Sequence, residues 1–145
     1  MKKLMVYLVY RGNIYDKIQN IKKILDRPQF EIYKIIQEKD YDGVPKIKEL
    51  FYSPENDKYI LYEECVPGYT IDELFKKGTQ FSKKFVIKMA TALCNILKPI
   101  HNDNLIHRDI SPNNVMYSQI EDKFYLIDFG NSRLNKINTP KDTVF

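Results

Sequence analysis

Apolar residues change their period once along this chain, and the change divides it. In the first half they alternate or run in short blocks. Leu4 to Tyr10 is a seven-residue apolar run, rich in β-branched and aromatic side chains, that stops at Arg11 and Gly12-Asn13. It reads as a strand whose hairpin partner is the run from Lys17 to Leu25. Pro28, tolerated in a first turn, opens a helix striped by Phe30, Ile32, Tyr33, Ile35 and Ile36 and closed by Asp40-Tyr41-Asp42-Gly43. Strands over Lys46–Tyr52 and Lys58–Glu63 follow, joined by the turn Pro54-Glu55-Asn56-Asp57.

Pro67-Gly68 marks the boundary, and beyond it the period becomes helical. Thr70 with Glu73 has the capping-box spacing at the head of a short helix. Ser82 caps a longer one, in which Val86, Met89, Leu93, Ile96, Leu97 and Ile100 recur on one face. Cys94 is assigned to that apolar face as packing, and Pro99 is expected to end or bend the helix. Short pieces come next: Asn104–Ile106, a loop to Asn114, then a hairpin of Val115–Tyr117 and Phe124–Ile127 about Glu121-Asp122. The stretch from Asn131 to Phe145 has no periodicity and is expected to be mobile.

Composition narrows the classes. At 145 residues, 43% hydrophobic and 29% charged, with a mean hydropathy of −0.45, the chain is globular rather than disordered or fibrous. A net charge of +4 from scattered lysines and arginines, with a pI near 8.9, makes no nucleic-acid footprint. Cys65 and Cys94 cannot build a disulfide framework, so a reducing cytoplasm is the default expectation. Met1-Lys2-Lys3 and the run behind it imitate a signal peptide, but Arg11 ends the run early and no small-residue cleavage site follows. No stretch reaches the ~20 apolar residues of a membrane span, so no membrane partner is expected. The two histidines and two cysteines lack zinc spacing.

The chemistry is concentrated between His107 and Gly130. His107-Arg108-Asp109-Ile110-Ser111-Pro112-Asn113-Asn114 fits H-R-D-x-x-x-x-N, and Asp128-Phe129-Gly130 is D-F-G, with the predicted hairpin between them. In these residues the chain resembles the protein kinase superfamily, and within it the bacterial kinases similar to eukaryotic Ser/Thr kinases. The resemblance implies an α+β, two-lobe fold, here incomplete. Residues 1–66 would supply part of the small β-rich lobe and the hinge, and 67–145 the first part of the helical lobe.

It also implies transfer of a phosphoryl group from Mg-ATP to a protein Ser/Thr hydroxyl, where catalysis is mainly positioning and charge neutralisation. Asp109 would accept the proton of the attacking hydroxyl, and Asn114 and Asp128 would hold magnesium through oxygen. His107 would buttress the loop, and Arg108 would pair with a phosphorylated residue downstream, Thr139 or Thr143 being candidates. Upstream, Ile21-Lys22-Lys23-Ile24-Leu25 stands where the family has V-A-I-K. Lys23 is therefore the expected ATP-phosphate lysine, Lys22 pointing the opposite way on a strand. Its expected ion-pair partner is Glu31, with Glu38 the alternative. Glu63-Glu64-Cys65-Val66 would form the hinge, with main-chain groups of Glu64 and Val66 binding adenine.

Three departures qualify this. Ser111 stands where Ser/Thr kinases commonly have a lysine, which removes a cation from the γ-phosphate. The five glycines spell no G-x-G-x-x-G, and no A-P-E occurs before Phe145. The expectation is therefore about half of a kinase, with weak or absent turnover in isolation, alongside a protein substrate and a partner chain covering the incomplete helical lobe. Two alternatives stand beside it. One is a catalytically silent kinase-like module that binds nucleotide or a partner. The other is a small-molecule kinase of the aminoglycoside or choline type, although those usually carry Gly where Arg108 stands.

Overall fold

The structure, a computed structural model, describes residues 7–9 and 20–135. The turn expected at Gly12-Asn13, and Thr139 and Thr143, lie outside the described residues. Four antiparallel strands form the first sheet in the order β1-β2-β4-β3: β1 Tyr7–Val9, β2 Asn20–Leu25, β3 Ile47–Ser53 and β4 Lys58–Glu64. The β1–β2 pair and the β3–β4 hairpin are the ones the alternation predicts. β4 includes Glu63, as the expected strand does, and runs one residue further, so that Glu64, expected in the hinge, is its last residue.

Helix α1, Arg27–Lys39, covers one face of this sheet, and the reasons are local. The Asp26 carboxylate accepts the Gln29 amide at 2.8 Å, while the Gln29 side-chain oxygen accepts the Asp26 amide at 3.0 Å, a reciprocal cap. Ile32, Tyr33 and Ile36 form the buried stripe. Asp40, in a left-handed conformation, ends the helix by donating its amide to the Ile36 carbonyl.

Beyond β4 the helical pattern takes over. A two-residue strand, β5 Tyr69–Thr70, leads into α2, Ile71–Lys76. Thr70 Oγ1 accepts the Glu73 amide at 3.1 Å, and the Glu73 carboxylate accepts the Thr70 amide at 2.8 Å, as the spacing requires. Helix α3, Lys83–Asn102, is capped by Ser82, whose Oγ accepts the Phe85 amide. Two expectations for α3 need correction. Pro99 does not end it: a last turn continues to Asn102, with Ile100 wholly buried. Cys94 is exposed, because it stands about 200° around the helix from Ile96, which faces the core with Phe85, Met89 and Ile100.

Two small sheets complete the described residues. The hairpin of β7 Val115–Ser118 and β8 Lys123–Leu126 extends β5 in the order β5-β7-β8. β6, Leu105–Ile106, pairs with β9, Arg133–Leu134, and the Asn135 amide donates to the Asn104 carbonyl at 2.7 Å. The residues 131–135 are thus tied down, contrary to the expectation for that stretch. One apolar core runs through the whole, from Leu25, Tyr33, Ile36 and Leu61 to Ile100, Leu105, Leu126 and Phe129. Gly43 sits on this path. Its φ of +76° is left-handed, its carbonyl accepts the Leu126 amide at 2.8 Å, and a Cβ there would lie 2.5 Å from Ile96 Cγ1. Among the described residues no helix is long and apolar enough to cross a membrane.

Candidate active site

β6 delivers the chain to His107, which is almost fully buried. Its Nε2 donates to the Ile127 carbonyl at 2.9 Å and its Nδ1 accepts the Asp109 amide at 3.2 Å. Those two partners fix the neutral Nε2–H tautomer. Burial lowers the imidazole pKa, opposed by the Ile127 carbonyl and the charges of Asp109 and Asp128, and the net direction is down. The ring also meets Phe129 edge-on, with centroids 4.6 Å apart. One side chain therefore clamps the loop after β6 to the segment after β8.

The rest of the loop is wound about that clamp. Arg108 is exposed and left-handed, with φ +67°. Asp109 is half-buried; its carbonyl accepts the Asn114 side-chain amide at 2.9 Å, and its Oδ2 accepts Asn131 Nδ2 at 3.2 Å. Asn114, 7% exposed, also accepts the Ile127 amide on its carbonyl at 2.9 Å, which sets it beside Asp128. With its NH₂ group committed to Asp109, Asn114 has its Oδ1 to offer a cation. Asp128 is left-handed as well, with φ +60°, and its Oδ1 accepts the Gly130 amide at 3.1 Å. Two non-glycine residues in this region cost about 1–3 kcal/mol each, and such strain gathers where geometry serves a site.

Helix α1 holds the Asp-Phe-Gly segment from the other side. The Phe129 amide donates to the Tyr33 hydroxyl at 3.0 Å, and Gln29 Nε2 donates to the Gly130 carbonyl at 3.2 Å. Lys23 is buried on β2 and pairs with Glu63 on β4, not with Glu31. The expected partner is corrected for a geometrical reason. Glu31 precedes the buried pair Ile32 and Tyr33, faces solvent and pairs with Lys34 at 3.3 Å. Glu38 is also exposed. Burial alone would lower the Lys23 pKa, but the oxygens of Tyr33, Glu63 and Asp128 outweigh it and keep the ammonium charged. Burial pushes the Glu63 carboxyl upward while Lys23 pulls it down.

At the end of β4 the Glu64 amide donates to the Lys46 carbonyl at 2.9 Å, so that amide is committed to the sheet. Val66 is buried at 4% exposure, and Pro67 and Gly68 after it are exposed. No group of three or more His, Cys, Asp or Glu gathers among the described residues. A divalent ion would therefore rely on Asp128, the Asn114 amide oxygen and oxygens of its own ligand, a donor set that suits magnesium. Sequence reasoning missed the contacts that Tyr33, Gln29, Glu63 and Asn131 make here, and that of Ser132, whose hydroxyl donates to the His107 carbonyl at 3.2 Å. In the sequence Glu63 reads only as strand end and hinge. Tyr33 lay in the apolar stripe, and only its hydroxyl hinted at more.

Comparison with known proteins agrees with this geometry. The family model for the protein kinase domain matches residues 14–145. Serine/threonine-protein kinase C of Synechocystis is 29% identical over 124 residues, covering 78% of this chain and 23% of that protein. Serine/threonine-protein kinase B of the same organism is 36% identical over 91 residues, 63% of this chain and 16% of that protein. The probable serine/threonine-protein kinase glkA of Dictyostelium discoideum is 31% identical over 124 residues, 84% of this chain and 25% of its own length. The chain thus spans a quarter or less of these relatives. Among solved structures, the Cydia pomonella granulovirus kinase PK-1 shares the fold with a TM-score of 0.69 at 18% identity, over 89% of this chain and 48% of that one. With the H-R-D loop and the D-F-G segment locked together through His107, and residues 14–145 of this chain matched by the family model, this chain belongs to the protein kinase family.

Proposed function

We propose that this chain carries the phosphate-handling part of a protein kinase that transfers the γ-phosphoryl group of ATP to a protein Ser/Thr hydroxyl. The observation that supports it most is the His107 clamp, which fixes Asp109, Asn114 and Asp128 relative to one another. Asp109 would take the proton of the attacking hydroxyl, its carboxylate oriented by Asn131. Asn114 Oδ1 and Asp128 would hold magnesium, which neutralises phosphate charge when bound. Lys23 would meet phosphate oxygens with N–H groups not used by Glu63. The Glu64 carbonyl and the Val66 main chain would receive adenine, with the division between small and helical lobes at residues 66 and 67. Arg108, exposed beside Asp109, would pair with a phosphorylated residue, and its presence favours a protein kinase over the aminoglycoside or choline type.

Phe75, Val86 and Ile87 are 68%, 44% and 55% exposed, which favours further polypeptide, in cis or from a partner chain, over these apolar side chains. The isolated chain is accordingly proposed to turn over weakly. A cytoplasmic setting belongs to the same proposal. The test is a thermal-shift titration with Mg·ATP, run beside labelled-phosphate transfer to generic protein substrates, with Asp128→Ala as control. Stabilisation by Mg·ATP that disappears in Asp128→Ala and on magnesium chelation is expected. A wild-type chain that Mg·ATP does not stabilise would refute the nucleotide site.

A further inference from the structure

The carboxylate that meets Lys23 comes from within the sheet. Lys23 stands opposite Leu61 in the β2–β4 register, and Glu63 is two residues further along β4, hence on the same face and diagonal to the lysine. Both side chains are almost completely removed from water, at 7% and 6% exposure. An ammonium buried that deeply requires an acidic partner. The inward side chains of α1 are occupied elsewhere: Tyr33 receives the Phe129 amide, and Gln29 reaches the Gly130 carbonyl. The first acid on α1, Glu31, is turned to solvent.

We infer that Glu63 is the positioning residue that orients Lys23 toward nucleotide phosphate, so that the lysine is set by the β2–β4 pair and not by an acid of helix α1. The inference rests on the nucleotide-site reading proposed above. Its physical content is a division of labour. The sheet fixes the cation, and α1 fixes the backbone of Asp128-Phe129-Gly130. A lysine has three N–H donors, so a phosphate oxygen can take one while Glu63 keeps another. Removal of the Glu63 carboxylate takes away the acceptor that holds the ammonium in place, while Tyr33 and Asp128 still oppose burial, so the chief loss is the lysine's aim.

The test compares the 145-residue chain with its Glu63→Gln and Glu31→Gln variants, each titrated calorimetrically with Mg·ATP and with adenosine. Glu63→Gln is expected to bind Mg·ATP at least tenfold more weakly and adenosine within twofold of wild type. Glu31→Gln is expected to change neither by more than twofold. A merely structural role for Glu63 predicts equal losses for both ligands, and that result overturns the inference. So does an unchanged Mg·ATP affinity in Glu63→Gln, or an equal loss in Glu31→Gln. Should Glu63→Gln fail to fold, Glu63→Asp, which keeps the charge and withdraws it by one methylene, is held to the same split between the two ligands. A wild-type chain that binds neither ligand refutes the nucleotide site and the role of Glu63 with it. A wild-type chain that binds both, with Glu63→Gln unchanged, refutes the role alone.

Discussion

The Tyr33 hydroxyl and the Phe129 amide meet at 3.0 Å inside the core, where Tyr33 is 2% and Phe129 1% exposed. A backbone donor at that depth has no water to turn to. Tyr33→Phe keeps the ring and leaves the amide unsatisfied, which costs about 1–3 kcal/mol. Urea unfolding should show the midpoint falling with little change in slope. A variant as stable as wild type would mean that the amide finds another acceptor.

His107 makes stability depend on pH in one direction. Its folded-state pKa lies below the ordinary 6.5, so its contribution is complete above about pH 6.5 and is lost as pH falls through the lowered folded value. Protonation would also place a hydrogen on Nδ1, against the Asp109 amide it now accepts. The gradient from this one group is positive with pH and bounded at about 1.4 kcal/mol per pH unit. Melting curves between pH 7.5 and 5.5 should be steeper for wild type than for His107→Gln; equal slopes would contradict the assignment.

Gly43→Ala should be costly twice over. The φ of +76° is poor for any residue with a Cβ, and that Cβ would sit 2.5 Å from Ile96 Cγ1. Overpacking of this kind costs about 1–3 kcal/mol, with the backbone strain in addition. Ile96→Val removes Cδ1, which the new Cβ would meet at 2.6 Å, and should partly relieve the clash, so the double variant would be more stable than the sum of the two single effects predicts. Strict additivity would remove the contact from the explanation.

Asn131→Ala should separate rate from stability. Asn131 is exposed and donates to Asp109 Oδ2 at 3.2 Å, so its loss frees the carboxylate without opening the core. On the proposed function, phosphoryl transfer by a complete domain carrying this change should fall about tenfold, roughly 1.4 kcal/mol in the barrier, with the melting temperature unmoved. A rate equal to wild type would show that Asp109 needs no such support.

Local signals in the sequence carried much of this structure. The capping boxes at Asp26 and Thr70 and the Ser82 cap involve groups three residues apart, so their chemistry is written in adjacent letters. Strand alternation set Lys22 and Lys23 on opposite faces, and the resemblance to V-A-I-K singled out Lys23, which is the buried one. The H-R-D and D-F-G residues were legible because their spacing is fixed by the hairpin between them. What stayed hidden depends on register and packing. Glu63 becomes the partner of Lys23 only through the alignment of β2 with β4, which no local pattern states. Cys94 read as buried because the apolar stripe on α3 is wider than the face that is covered. Pro99 read as an end or a bend because its ring removes one hydrogen bond, yet the helix runs on to Asn102 with Ile100 buried.

The pairing of β6 with β9 joins the two ends of the segment that contains every expected site residue of the second half. Leu105 and Ile106 face Leu134 and Arg133, and Ser132 reaches back to the His107 carbonyl. The segment is therefore a ring closed without a covalent bond, and the entropy of closing it is met once for all its members. Loosening the clasp at 133–134 would let Asp109, Asn114 and Asp128 drift together rather than singly. Proteolytic nicking beyond residue 135 would leave the ring shut, whereas a cut inside it would dissolve the constellation at a stroke.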